Sequence, residues 1–304
     1  MAKLLNKNVQ GSLIVFISVL WQGIGTATIG IRLDANLSSL STFFAYFLAS
    51  FVSVIWLCFV KYKKKTTAKD RNPSVRTMVA MNLSTAGAFS LFYLAATILP
   101  PATASVLETS LGPFLVAVLM MRKGDARLKN VAITSSVFIL ALIYFMLNPA
   151  NELRESLWGL ILSIMAGVSA VGVIYSSKSA FSQGSSVMRI SAIRYHLGWV
   201  VSGIVALIIT PWEVIGFKVI TDIAVLSFLC VSLPILLLQW GITIANALSA
   251  ALTIAGLPAI VLGMQTVLGL HASASQVFVL LPILLITYIR VLFNSKEKNE
   301  DSSR

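Results

Sequence analysis

The stretch Ala102–Asp125 reads ATASVLETSLGPFLVAVLMMRKGD, and one carboxylate in it decides how the rest of the chain is read. Glu108 stands about two turns into a run that otherwise looks like the inside of a membrane. A lone carboxylate in hydrocarbon costs at least a few kcal/mol, about 2.5 to 3.5 even on lenient insertion scales. On a helix, Ser105, Glu108, Thr109 and Gly112 share one face, while Leu107, Leu111, Phe114 and Val118 form a stripe on the other. Lipid satisfies no hydrogen bond, so the polar face must look at protein or at a water-filled cavity.

Composition agrees with that solvent. The 304 residues are 57% hydrophobic and 11% charged, against the roughly 25% charged of a soluble domain. The fold class expected is an all-α polytopic membrane protein. The net charge of +12 does not imply a nucleic-acid partner, because the basic residues lie between apolar runs rather than on one surface. Cys58 and Cys230 both fall inside apolar runs and read as small hydrophobes. The first apolar run leads into GIRLDANLSS without a small-residue cleavage site, so it reads as a retained span.

Helices that cross about 30 Å of hydrocarbon need roughly 17 to 25 apolar residues. Ten candidates emerge at 11–31, 39–60, 77–99, 102–121, 130–148, 156–177, 190–210, 221–240, 243–268 and 274–293. Alternating sides with the N-terminus inside puts all but three of the 23 basic residues on one side, the exceptions being Arg32, Arg154 and Lys218. Basic loops collect in the cytoplasm, so both termini are expected there, in the inner membrane of a cell.

Spans four and nine carry one pattern twice. Ser105, Thr109 and Gly112 correspond to Ser249, Thr253 and Gly256, and Pro113 and Pro258 follow each set. Five spans per half is an odd number, so the second half would insert inverted relative to the first. The expected organisation is a first five-helix repeat over 1–149, a second over 150–293 and a polar cytoplasmic tail over 294–304. Close helix packing through small residues explains the same pattern without symmetry.

The segment FYLAATILPPATASVLETSLGPFLVAVLMMRKGDARL, Phe92–Leu128, resembles the third-to-fourth helix hairpin of EamA-type members of the drug/metabolite transporter superfamily. TIANALSAALTIAGLPAIVLG looks like the second copy of its Leu-x-Pro step, and LWQGIGTATIGIR is similar to the family's first helix. The chain departs from the family at RKGD, where a Gly-Glu ending is common, and in lacking spaced glycines in helices five and ten. The resemblance implies a ten-helix secondary transporter, an exporter of small metabolites, amino acids or drugs that works by alternating access. A channel-like facilitator or a lipid flippase is the alternative with the same architecture.

Candidate substrate-binding or proton-coupling residues are Glu108, Thr109, Ser105, Trp21, Gln22, Tyr93, Arg194 and His196. Glu108 can hold a cationic group or carry a proton, or it can be a strut tied to a neighbouring hydroxyl. Trp21 and Gln22 sit mid-span with Ser18, Gly25 and Thr28 on roughly the same side. Arg194 can meet a substrate carboxylate, although snorkelling to the headgroups is the commoner fate at its depth. A lone histidine such as His196 can serve a transport site but is more often packed or hydrogen-bonded. Tyr46, Tyr175, Gln239, Asn246 and Gln265 are further polar groups, and His271 is expected to touch solvent. No Gly-x-Ser-x-Gly elbow, HExxH, paired intramembrane Asp or Walker motif is present, so no enzyme, catalytic residue, metal or cofactor is expected. The expected partners are a small-molecule substrate and the bilayer, with room for a homodimer and none for nucleic acid.

Overall fold

The structure, a computed structural model, describes residues 7–32, 35–62, 70–124, 128–148, 152–213, 215–269, 276–278, 280–287 and 289. The described residues form helices and no strands: α1 (Lys7–Arg32), α2 (Ala35–Tyr62), α3 (Val75–Ile98), α4 (Pro101–Arg122), α5 (Leu128–Leu147), α6 (Leu153–Ser182), α7 (Val187–Arg194), α8 (His196–Ile209), α9 (Phe217–Ser227), a π-helical turn Phe228–Ser232, α10 (Leu233–Ile244), α11 (Ala247–Ile254) and α12 (Leu257–Val267). Nine helical runs among them are long and apolar enough to cross a membrane. These are α1 to α6 singly, then α7–α8, α9–α10 and α11–α12 as interrupted pairs. The chain is a multi-pass membrane bundle. A shorter apolar helix, Gln276–Thr287, falls within the tenth span read from the sequence, and the tail 294–304 lies outside the described residues. Leu280 and Ile283 of that helix join Leu107, Val137, Tyr144 and Leu262 in one buried cluster.

The interruptions have chemical causes. Pro234 offers no N–H to the Cys230 carbonyl, and the helix widens there, so that the Leu233 N–H donates to Phe228 five residues back. Pro258 likewise cannot serve the carbonyl of Ile254, where α11 ends before Ala255 and Gly256 turn into α12. Pro113 sits inside α4 and frees the Thr109 carbonyl without ending the helix. Irregular backbone at membrane depth persists only where protein or a cavity covers it.

Small residues let the main helix pairs approach closely. A Cβ placed on Gly11 would stand 2.2 Å from the Ala245 nitrogen, and one on Gly25 would stand 2.4 Å from the Cys230 carbonyl oxygen. Between them Ser18 donates to the Pro234 carbonyl at 2.7 Å, completing a seam of α1 along α10 and the π turn. The seam between α3 and α6 is built the same way, with Gly87 against Ser169 and Gly172 against Ser84. Van der Waals contact at such seams replaces the hydrophobic drive that lipid removes.

One end of the bundle, which we term the basic end, is tied by polar loops. Ser74 and Ser186 cap α3 and α7 by accepting from the N–H groups of Thr77 and Arg189. Asp70 accepts from the Ser186 N–H at 2.9 Å and pairs with Arg189 at 2.9 Å. Gly184, at φ 91°, takes the left-handed turn that ends α6 and brings these loops together. Burial alone would raise the Asp70 carboxyl, but Arg189 and Ser186 outweigh it and hold the group below its ordinary 3.8. A carboxyl with a depressed folded-state value stabilises above its unfolded value and loses that contribution as pH falls. Exchange of the Ser186 amide hydrogen, expected to be slow at neutral pH, should therefore accelerate relative to other cap amides as pH drops below 3.8.

Gly11→Ala and Gly25→Ala force backbone apart. Each should cost about 1 to 3 kcal/mol, in the range for overpacked cores. Gly112→Ala meets no heavy atom of the described residues within 4 Å and should be tolerated, measured as apparent unfolding temperature of the detergent-purified protein.

Candidate functional site

Two polar loci interrupt the apolar interior. The first lies on α4. With 56% of the residues in its apolar window buried, α4 is matched in burial only by the ninth run at 61%; the other runs range from 22% to 39%. These two helices pack on each other at the centre of the bundle. The predicted polar face of α4 is present: Thr109 is buried, Ser105 and Glu108 are half-buried, and Thr109 Oγ1 donates to the Ser105 carbonyl at 2.8 Å. The carboxylate of Glu108 has no hydrogen bond and no ion pair among the described residues. One turn on, at the midpoint of α4, Gly112 is itself buried, yet a Cβ built on it meets no atom of the described residues within 4 Å. Among the described residues, open space therefore borders the face that Glu108 shares. The backbone behind it is fixed, since a Cβ on Gly167 of α6 would stand 2.8 Å from the Glu108 carbonyl oxygen.

The corresponding face of the ninth run repeats the local bond and not the exposure. Thr253 Oγ1 donates to the Ser249 carbonyl at 2.8 Å, and both residues are buried. Asn246 caps α11 by accepting from the Ser249 N–H at 2.6 Å, and Asn8 of α1 accepts from the Asn246 N–H at 2.6 Å. Leu252 stands 144 positions after Glu108 and is fully buried. The carboxylate belongs to one copy of the pattern alone.

The second locus surrounds Arg194, the last residue of α7, which is 5% exposed. It does not snorkel. Its Nε and Nη2 donate to Thr85 Oγ1 of α3 at 3.3 and 3.2 Å, and its Nη1 donates to Ser177 Oγ of α6 at 3.2 Å and to Gln239 Oε1 of α10. Ser177 also donates to Gln239 Oε1 at 3.2 Å. The guanidinium lies 5.2 Å from the Tyr195 ring, which stacks on Tyr46. Every hydrogen-bond partner is neutral. Asn82 of α3 completes the break between α7 and α8, donating to the Ile193 carbonyl and accepting from the Leu197 N–H, each at 3.0 Å. Nearer the basic end, half-buried Lys178 donates to the Ala245 carbonyl, and Lys123 lies 5.6 Å from the Tyr175 ring.

The candidates thus separate. Glu108, Thr109 and Ser105 come together on α4, and Arg194 stands apart. The two α6 residues that touch the loci, Gly167 and Ser177, are roughly ten residues apart, about 15 Å along the helix. Trp21, 39% exposed, continues the outward stripe of Leu13, Ile17, Leu20 and Ile24, whereas Ser18 and Gly25 turn inward against α10 and the π turn. Gln22 is half-buried, and its Nε2 is enclosed with no partner among the described residues. His196 is exposed, 6.2 Å from the Trp199 ring. The side chains of Tyr93 and Gln265, and all of His271, lie outside the described residues. Thr85, Ser177 and Asn82 were not foreseen. The one signal for them was Arg194 itself, since a buried guanidinium requires acceptors at its own depth. Among the described residues no three His, Cys, Asp or Glu side chains group as a metal site would require.

A solved crystal structure shares the fold with a TM-score of 0.69 at 14% identity, over 93% of this chain and 99% of its own. No family model and no curated protein matches the chain. Likeness at that identity speaks to the helical architecture alone.

If Glu108 has no structural partner, Glu108→Gln and Glu108→Leu should fold with apparent unfolding temperatures at or above that of the parent. Gln239→Leu removes an acceptor from a buried guanidinium and should cost about 1 to 3 kcal/mol. Thermal unfolding of the three purified variants distinguishes a strut at Glu108, for which the Leu variant would unfold first.

Proposed function

We propose that the protein is a secondary carrier that moves a small organic solute across the inner membrane by exposing a midplane site alternately to each side. The observation that carries this reading is Glu108, a carboxylate without a partner among the described residues, on a face that borders open space in the buried part of the bundle. A structural charge in a membrane finds a partner within the protein. One left without a partner has a reason to meet a ligand or a proton.

The packing supports an arrangement in two inverted five-helix halves. Exchanging each of the first five runs with the run five places later maps the most extensive packed pairs onto one another. Run three lies along run six as run eight lies along run one; run four meets run six as run nine meets run one; run three meets run seven as run eight meets run two. Run two against seven and run four against nine map onto themselves. In this reading Gln276–Thr287 belongs to the tenth helix, and its Leu280 and Ile283 cluster with residues of α5 and α12. Such halves, with broken helices at the midplane, are the common build of secondary transporters. EamA-type export fits this frame, with the basic end in the cytoplasm.

The test is flux. In proteoliposomes the protein should give saturable uptake and counterflow of a solute identified by comparing metabolites in cells with and without it, and Glu108→Gln should reduce that flux at least tenfold. Exchange that survives in Glu108→Gln while pH-driven accumulation is lost assigns a proton to Glu108, and loss of both assigns a cationic solute group. Conductance without saturation would make the protein a channel. For orientation, a reporter active only in the cytoplasm should work after Lys123 and fail near Glu152 or Glu213. Activity at Glu152 would remove the odd number of spans in the first half.

A further inference from the structure

We propose that Arg194 is a latch that holds the basic end of the bundle shut, and that its release opens the interior toward that end. The proposal rests on the carrier reading only in supposing that the protein visits a second state. Its geometry stands by itself. The guanidinium sits roughly two turns in from the start of the seventh run and joins four runs at one depth: α3 through Thr85, α6 through Ser177, α10 through Gln239 and its own α7. All of these side chains are buried. No carboxylate takes part, so the cluster is a closed set of neutral acceptors around a cation, which can let go without separating an ion pair in a low dielectric.

A second observation is independent of Arg194. The matched Ser/Thr faces of α4 and the ninth run lie toward opposite ends of the bundle, and they are not equally accessible. Ser249, toward the basic end, is fully buried, while Ser105, toward the other end, is half-buried. Each serine carbonyl accepts from the threonine four residues on at 2.8 Å, but Ser249 is also held by Asn246 and by Asn8 of α1. In this conformation α1 and the start of α11 close over the face at the basic end, while the face at the other end keeps part of Ser105 open.

Two substitutions push the latch in opposite directions. Arg194→Gln removes the cation, and Gln239→Glu gives it an anionic partner within reach. In purified full-length protein with Cys58→Ala and Cys230→Ala, the reaction rate of an impermeant maleimide is measured at Ser249→Cys and, separately, at Ser105→Cys. Arg194→Gln should raise the rate at Ser249→Cys at least tenfold and lower it at Ser105→Cys, while Gln239→Glu should lower the rate at Ser249→Cys below that of the parent. Unchanged rates would overturn the proposal. So would Arg194→Gln raising both rates, which marks general loosening. Labelling is read without flux, so a protein that transports nothing can still bear the latch out, and a working carrier with unaltered labelling would refute it alone.

Discussion

In hydrocarbon no water completes a hydrogen bond, so each polar side chain in an apolar bundle must be satisfied by the protein or by something the protein admits. The two charges at the loci answer that constraint differently. Arg194 recruits hydroxyls and an amide from three other helices and ties them together in this conformation. Glu108 recruits nothing among the described residues and borders space instead. The first arrangement satisfies a buried charge within the protein, and the second leaves one open to a ligand or a proton, as the proposed function needs.

The helices leave room for this because their contacts are made elsewhere. Gly11, Ser18 and Gly25 bring α1 against α10 and the π turn, and Gly87 and Gly172 bring α3 against α6. These seams carry backbone at near contact, so bulk cannot be added without moving helices. Gly112 has the same residue type and the opposite role: among the described residues nothing stands where its side chain would be. A buried glycine here therefore marks a seam in one place and a hollow in another, and position in the bundle decides which.

That distinction explains what could be read from the sequence. Apolar run length and helical period are local properties, and they located the membrane runs and the shared face of Ser105, Glu108, Thr109 and Gly112. The partners of Arg194 were not legible, because Thr85 and Gln239 lie 109 and 45 positions from it and nothing in an apolar run says which helix will be its neighbour. The direction of Trp21 was undecided for the same reason. Its spacing from Ser18 and Gly25 allowed a common side, and only the position of α10 reveals that the small residues face in while the ring faces out. The break at Tyr195 was equally hidden, since it depends on Asn82 from another helix accepting and donating at the gap.

A two-sided interior is the central claim, and Gly112 is the place to measure it, because a side chain there enters the space beside Glu108. With Cys58 and Cys230 replaced, Gly112→Cys can be treated with an impermeant thiol reagent in right-side-out and in inverted membrane vesicles. The account predicts reaction from both sides, at different rates, with solute flux altering the two in opposite directions. Reaction from neither side, or from one side only under every condition, would contradict it.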